Sequence, residues 1–271
     1  MMKLLKLMKH RWRIISSVLY PLIAFSILVI LWQTQVINKV FSVDSQILPQ
    51  PFHIIGVMND NLGKMADDIW STLSSVLIGL LIGSLLGYSL AIIAALFPVA
   101  GKGGISLVTA FNAVPIIALT PVFMNLTKIG GGSSDFRSML AKILVITVVS
   151  MSSMSITAYR GLTELKPFSK DLLLSYACNK RTILFKLRIP NSISYVFTAL
   201  KIGIPTAVIT SVVSEYFTES TVGVGYQIKA NINLMQFSTA WSYIFVACIM
   251  GILLYMLLML ISGITLRHRK S

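Results

Sequence analysis

The stretch RGLTELKPFSKDLLLSYACNKRTILFKLRIP, Arg160 to Pro190, is polar and basic and lies between two oily stretches. What surrounds it decides the fold. Hydrophobic residues make up 55% of the 271-residue chain and charged residues 12%, with a mean hydropathy of +0.81. One soluble core of that size does not hide so much apolar surface. The chain reads as an all-α integral membrane protein, and 160–190 as the segment that works outside the lipid.

At about 20 apolar residues per crossing, the sequence predicts six transmembrane helices near 14–37, 70–97, 105–127, 138–159, 191–217 and 240–266. The organisation that follows is a basic N-terminus (1–13), a first transmembrane helix (14–37), an outer loop (38–69), a five-helix core (70–266) containing the 160–190 loop, and a basic tail (267–271). Within the outer loop, Pro49 and Pro51 mark the start of a short surface helix near 52–66. Arg11, Trp12 and Arg13 give a basic start, but the run from Ile14 to Ile37 is long and lacks a small-residue cleavage pattern, so it is expected to be retained.

Orientation follows from Lys and Arg, which stay on the cytoplasmic side of short loops. The basic residues of 1–13, 160–190 and 267–271, with Lys102, go inside, opposed only by Glu164 and Asp171. Outside fall Lys39, Lys64, Lys128, Arg137, Lys142 and Lys229, balanced by Asp44, Asp60, Asp67, Asp68, Asp135 and Glu219. Lys201 and Glu215 lie within the fifth span. The whole net charge of +14 is then cytoplasmic, both termini are inside, and no nucleic-acid partner is needed to explain it.

The second span carries Ser71, Ser75, Gly79, Gly83, Gly87, Ala91 and Ala95 at every fourth position, one stripe along a helix where a neighbouring backbone approaches closely. The stripe serves packing within the chain, or a dimer seam or moving surface. In the third span Pro115 and Pro121 each remove a backbone donor, so a kink or break is expected within FNAVPIIALTP. Thr109, Asn112 and Thr120 beside it either line a substrate path or satisfy the freed backbone. In VVSMSSMSIT, Ser150, Ser152, Ser153, Ser155 and Thr157 alternate with Met151 and Met154; such hydroxyls can return their hydrogen bonds to the carbonyl one turn earlier, and the two Met suit a pore lining that repacks, with helix packing as the other reading. Thr210 and Glu215 complete the path candidates. Lys201 and Glu215 are about 21 Å apart along a helix and so are not partners; each either snorkels to its own interface, Lys201 inward and Glu215 outward, or has a function.

No catalytic constellation is visible. His10, His53 and His268 fall outside the spans, no phosphate-binding loop occurs, and Gly130, Gly131 and Gly132 lie in an outer loop without a following Lys-Ser/Thr. Cys178 and Cys248 offer neither a disulfide pair nor metal-ligand spacing. The chain is expected to bind no cofactor and no metal, and energy from ATP must enter through another subunit. Within 171–190, Asp171 suits a helix start and Asn179 caps a second helix from Lys180, which presents Ile183, Leu184 and Leu187 among basic residues. Such a helix lies on a membrane surface or docks in a partner's groove.

Over roughly 48–266 the chain resembles the permease subunits of bacterial binding-protein-dependent ABC importers, in the branch serving nitrate, sulfonates, taurine and riboflavin or thiamine-pyrimidine compounds. LPQP is similar to that family's LP-x-P entry and AVPIIALTPVF to its third span. DLLLSYACNKRTILFKLRIP stands in the place of the EAA-x(3)-G loop ending in Leu-Pro. FTALKIGIPTAVITSVVSEYF and TVGVGYQI are similar to the fifth span and its following Gly-x-Gly-Tyr. In the loop Asp171 replaces Glu, Leu172 and Leu173 replace two Ala, Ala177 stands where Gly is usual, and Asn179 takes a Ser/Thr position.

The resemblance implies the six-helix type I importer permease fold in a bacterial plasma (inner) membrane. It implies two ATPase subunits holding ATP and Mg, a second permease of the same or a sister chain, and an extracytoplasmic binding protein that delivers solute. It also implies a coupling helix, carried here by Asp171, Leu172, Leu173, Ala177, Cys178 and Asn179. An ion-coupled secondary transporter and a non-transporting membrane scaffold are the rival readings. The solute is not legible: the lack of a mid-membrane charge cluster favours a neutral or weakly charged organic molecule, and the branch also admits an anion.

Overall fold

The computed structural model describes residues 19–111, 114–129, 131–218 and 220–267. Among them regular structure is helical: α1 (Leu19–Gln33), α2 (Val36–Phe41), α3 (Pro51–Leu96), α4 (Pro98–Phe111), α5 (Ile116–Ile129), α6 (Ser134–Thr163), α7 (Ser169–Ser175), α8 (Lys180–Ile183), a π-helical turn (Leu184–Arg188), α9 (Ile189–Phe217), α10 (Val224–Asn233) and α11 (Phe237–Arg267). Among the described residues, four helices are long and apolar enough to cross a membrane: α3, α6, the continuous run Lys180–Phe217 containing α9, and α11. α1 and α5 are shorter apolar helices.

Of the remaining predicted spans, the third is interrupted and the first is described only from Leu19. In the third, Val114 and Pro115 lie outside any helix and α5 begins at Ile116, in keeping with a proline that lacks a donor and clashes with a preceding turn. Pro121 stays inside α5. The first ends at Gln33 in a turn with Gln35 at φ 58°; its beginning, with the basic N-terminus 1–13, lies outside the described residues, as does the tail from His268. The predicted surface helix and second span are one 46-residue helix from Pro51. At 1.5 Å per residue that is about 69 Å, well beyond a hydrocarbon core of about 30 Å.

The chain forms two compact units. In the smaller, residues up to Leu62 join 231–242. Trp32 and Trp241 meet edge to face at 5.4 Å, the Trp241 indole donates to the Ile47 carbonyl at 3.0 Å, and Asn38 donates to the Leu48 carbonyl at 2.9 Å. These bonds hold the connection between α2 and α3 without regular structure of its own.

In the larger unit, 63–230 with 243–271, helix direction can be read from contacts. A Cβ on Gly79 would lie 2.7 Å from Ile146, one on Gly83 2.7 Å from Ser150 and one on Gly87 2.9 Å from Met154. Both series ascend together, so α3 and α6 run parallel. Gly161 abuts Tyr195 while Lys142 meets Glu215, so α9 runs antiparallel to α6. Two apolar clusters fill the body. One joins Val76, Ile146, Ile204, Val208 and Met250; the other joins Ala91, Ala95, Met154, Ala158 and Ala199. Much of α11 remains bare, including Ile252, Leu253, Met256, Leu260 and Ile264, a surface suited to lipid rather than water.

Candidate functional site

The 160–190 segment has a pinned base and a bare tip. At the base, Arg188 donates to the Ala95 carbonyl in the last turn of α3 at 2.6 Å, where a cation also complements the helix dipole. Asn191 donates to the carbonyls of Gly161 at 2.7 Å and Glu164 at 3.1 Å, tying the start of α9 to the end of α6. Ile183 and Leu184 are buried beneath the turn. At the tip, every residue of α7 is at least partly exposed, and Phe168 (82%), Leu172 (58%) and Tyr176 (75%) offer apolar surface to the surroundings.

Local chemistry explains this shape. Asp171 sits in the first turn of α7, favourable for its charge. α7 then ends in a Schellman motif: the Cys178 amide donates to the Leu173 carbonyl at 3.1 Å and the Ala177 amide to the Leu174 carbonyl at 2.9 Å. That motif needs a left-handed residue, and Ala177 supplies it at φ 53°. The Gly of the resembled loop is thus explained by backbone geometry, which Ala adopts at a cost. Asn179 caps α8, its carbonyl oxygen accepting the Thr182 amide at 2.8 Å. Leu173 and the free thiol Cys178 are half-buried.

At the opposite end of α6 and α9 lies a buried polar cluster. Lys142 on α6 pairs with Glu215 on α9 at 3.2 Å, and both side chains are sealed from solvent. Glu215 also accepts from the Thr72 hydroxyl at 2.8 Å and the Gly225 amide at 2.8 Å. Lys142 further donates to the Ser71 hydroxyl at 3.3 Å. Next to them, buried Asp68 accepts from the Gly223 amide at 2.8 Å, the Tyr243 hydroxyl at 2.9 Å and the Gln227 amide at 3.4 Å. The Val224 amide donates to Thr72 at 3.0 Å. Three successive amides, 223 to 225, thus face the cluster as an anion-binding concavity. Only glycine fits here: a Cβ on Gly223, at φ 133°, would lie 2.6 Å from the Glu215 carboxyl carbon, and one on Gly225 would collide with the Val212 carbonyl.

Two sequence expectations change accordingly. Glu215 does not snorkel outward, since a partner inside the protein compensates its charge. Lys142 and Asp68, both counted as outer charges, are buried inside α6 and α3, so the outer balance loses one charge of each sign. Lys142, Asp68, Thr72 and Tyr243 escaped the sequence reading. The available signal was a lysine within the predicted span 138–159, where an intramembrane charge calls for a partner.

The other path candidates scatter. Thr120 is buried and shares a hydrogen bond with Ser214 at 3.1 Å, which brings it beside Glu215. Met154 packs with Ala91 and Ala95; Ser155 and Thr210 are buried and bond the carbonyls of Ser152 and Thr206 in their own helices. Thr109 is exposed on α4, Met151 is half-buried, and Asn112 lies outside the described residues. Gly79, Gly83 and Gly87 sit where α3 meets α6. An apolar groove of about 970 Å³ runs between α9 and α11, lined by Pro205, Ile209, Val212, Cys248, Ile252 and Tyr255 among others. With so few polar groups it resembles a place for acyl chains more than one for a polar solute.

Residues 79–269 match the family described as "Binding-protein-dependent transport system inner membrane component". The chain is 24% identical over 254 residues to the "Formylaminopyrimidine transport permease protein ThiX" of Halalkalibacterium halodurans, covering 93% of this chain and 97% of that protein. It is also 24% identical over 218 residues to a "Probable ABC transporter permease protein" of Haemophilus influenzae, covering 79% and 83% respectively. The exposed loop on a pinned base, the long apolar helices and these matches agree: the chain belongs to the binding-protein-dependent transport system inner membrane component family, as a multi-pass ABC transporter permease.

Proposed function

We propose that this chain forms the solute pathway of an ATP-driven importer and receives its drive through 160–190, seated in a separate ATPase subunit on the cytoplasmic side. The observation that carries the reading is α7: an apolar-tipped helix, exposed along its length, standing on a base bonded to α3, α6 and α9. Packed contacts resist compression, so a helix held this way passes a rigid-body push into the spans. Asp171, Leu172, Leu173, Ala177, Cys178 and Asn179 are its contact residues. Two ATPases carrying ATP and Mg, a second permease and an extracytoplasmic binding protein complete the assembly, and Thr109 and Met151 keep surface to offer a solute.

The solute is a small organic molecule, and a formylaminopyrimidine is the first probe, after the name of the relative matched over most of both chains. Glu215 is the carboxylate that ion coupling would require, yet it is committed to Lys142, Thr72 and Gly225, which weighs against a gradient-driven transporter. Uptake of that probe into vesicles holding the chain, its ATPase and its binding protein is expected to require ATP. Uptake that follows an ion gradient instead would favour the secondary transporter, and an assembly that binds partners without ATP-dependent uptake would favour a scaffold.

A further inference from the structure

The buried cluster at the far end of the spans has no part in docking an ATPase, yet it joins more elements than any contact in the 160–190 segment. Asp68, Ser71 and Thr72 come from α3, Lys142 from α6, Glu215 from α9, Gly223 from the following turn, Val224 and Gly225 from the start of α10 and Tyr243 from α11. Three of these side chains are carboxylates or an ammonium and nearly sealed, with exposures of 4% for Asp68, 1% for Lys142 and 0% for Glu215. Pulling α6 from α9 here would strand opposite charges away from water, the costliest separation available to such a bundle.

We propose that Lys142, Glu215 and Asp68 are positioning residues: a clasp that keeps the far ends of α3, α6, α9 and α11 together, so that force entering at 160–190 moves them as one body. The proposal rests on the reading of 160–190 as the driven segment. From Lys142 to Thr163 is about 32 Å along α6, so without a clasp a push at one end can splay the helices at the other. The clasp stays shut through the cycle, and the moving boundary lies outside this group of helices.

The test uses the full assembly of permease, ATPase and binding protein, with Cys178 and Cys248 changed to Ser. Spin labels go on Phe136→Cys of α6 and Phe217→Cys of α9, both exposed beside the clasp. Distances are compared between the nucleotide-free and the vanadate-trapped complex. With the clasp intact, one narrow distribution is expected, unchanged between states. In Lys142→Met/Glu215→Met, whose neutral side chains avoid a stranded charge, the distribution is expected to stay narrow without nucleotide and roughly to double in width when trapped, as load splays an unclasped pair. Tyr243→Phe, which removes one hydroxyl and keeps the ring, should show the same state-dependent widening to a smaller degree and serves if the double variant fails to assemble.

A shift of the intact protein's distance on trapping overturns the proposal, as does a variant equally narrow or equally broad in both states. Trapped ADP is measured separately, with the intact assembly taken here as the chain with native Cys178 and Cys248, and the label background is used once it traps ADP to the same extent. If the intact assembly traps none, the importer reading itself has failed and the clasp falls with it; if it traps ADP and the variants behave as the intact protein, the clasp alone fails.

Discussion

At the residue scale, glycine and charge are set by one another. Gly223 faces the Glu215 carboxyl so closely that Gly223→Ala must push apart a buried ion pair as well as strain a φ of 133°. We expect a loss of about 2–4 kcal/mol, combining strain with a disturbed buried pair, read as a lower midpoint for thermal unfolding in detergent. For the pair itself, Lys142→Met leaves Glu215 buried without its cation and is expected to cost about 3–5 kcal/mol, while Lys142→Met/Glu215→Met recovers much of that. A double variant less stable than the single would contradict a paired cluster. Glu215 was visible in the sequence as an intramembrane charge. Its partner was not, because loop charge and span order give the directions of α6 and α9 but not which side chains meet across 73 positions.

At the element scale, the breaks are the informative points. The interruption at Val114 and Pro115 is the one the proline's chemistry predicts, and the stripe from Ser71 to Ala95 was legible because period-four small residues have few uses other than close approach. That the stripe meets α6 rather than another helix was not legible, since small residues mark a close approach without naming what approaches. The join of the surface helix to the second span was missed because Gly63 and the polar residues around it mark a change of surroundings, not an end of helix. In α7 the Schellman cap was half-legible: the Gly position was noted, its φ was not. Ala177→Gly is expected to relieve about 1 kcal/mol of left-handed strain, slowing hydrogen exchange of the Ala177 and Cys178 amides by roughly fivefold. Faster exchange would show that the turn relies on the methyl group. Gly87→Leu should force α3 from α6, since even a Cβ meets the Met151 carbonyl, and the expected result is loss of folded protein on size exclusion.

For the whole molecule, the account is of two ends joined by rigid helices: a bare apolar tip at 160–190 and a sealed ionic cluster at the other end of α6 and α9. Composition was enough to assign a membrane protein, and the family match extends that to transport. The central claim is that the tip is seated in an ATPase. The direct measurement is cross-linking of the native Cys178 thiol, with Cys248 replaced by Ser, to cysteines scanned along the groove of the ATPase in an assembled complex that hydrolyses ATP. The account predicts cross-links at a short contiguous run of ATPase positions, lost when Leu172 and Leu173 are both changed to Asp. A working complex in which Cys178 reaches no ATPase position, and stays open to a water-soluble thiol reagent, would contradict it.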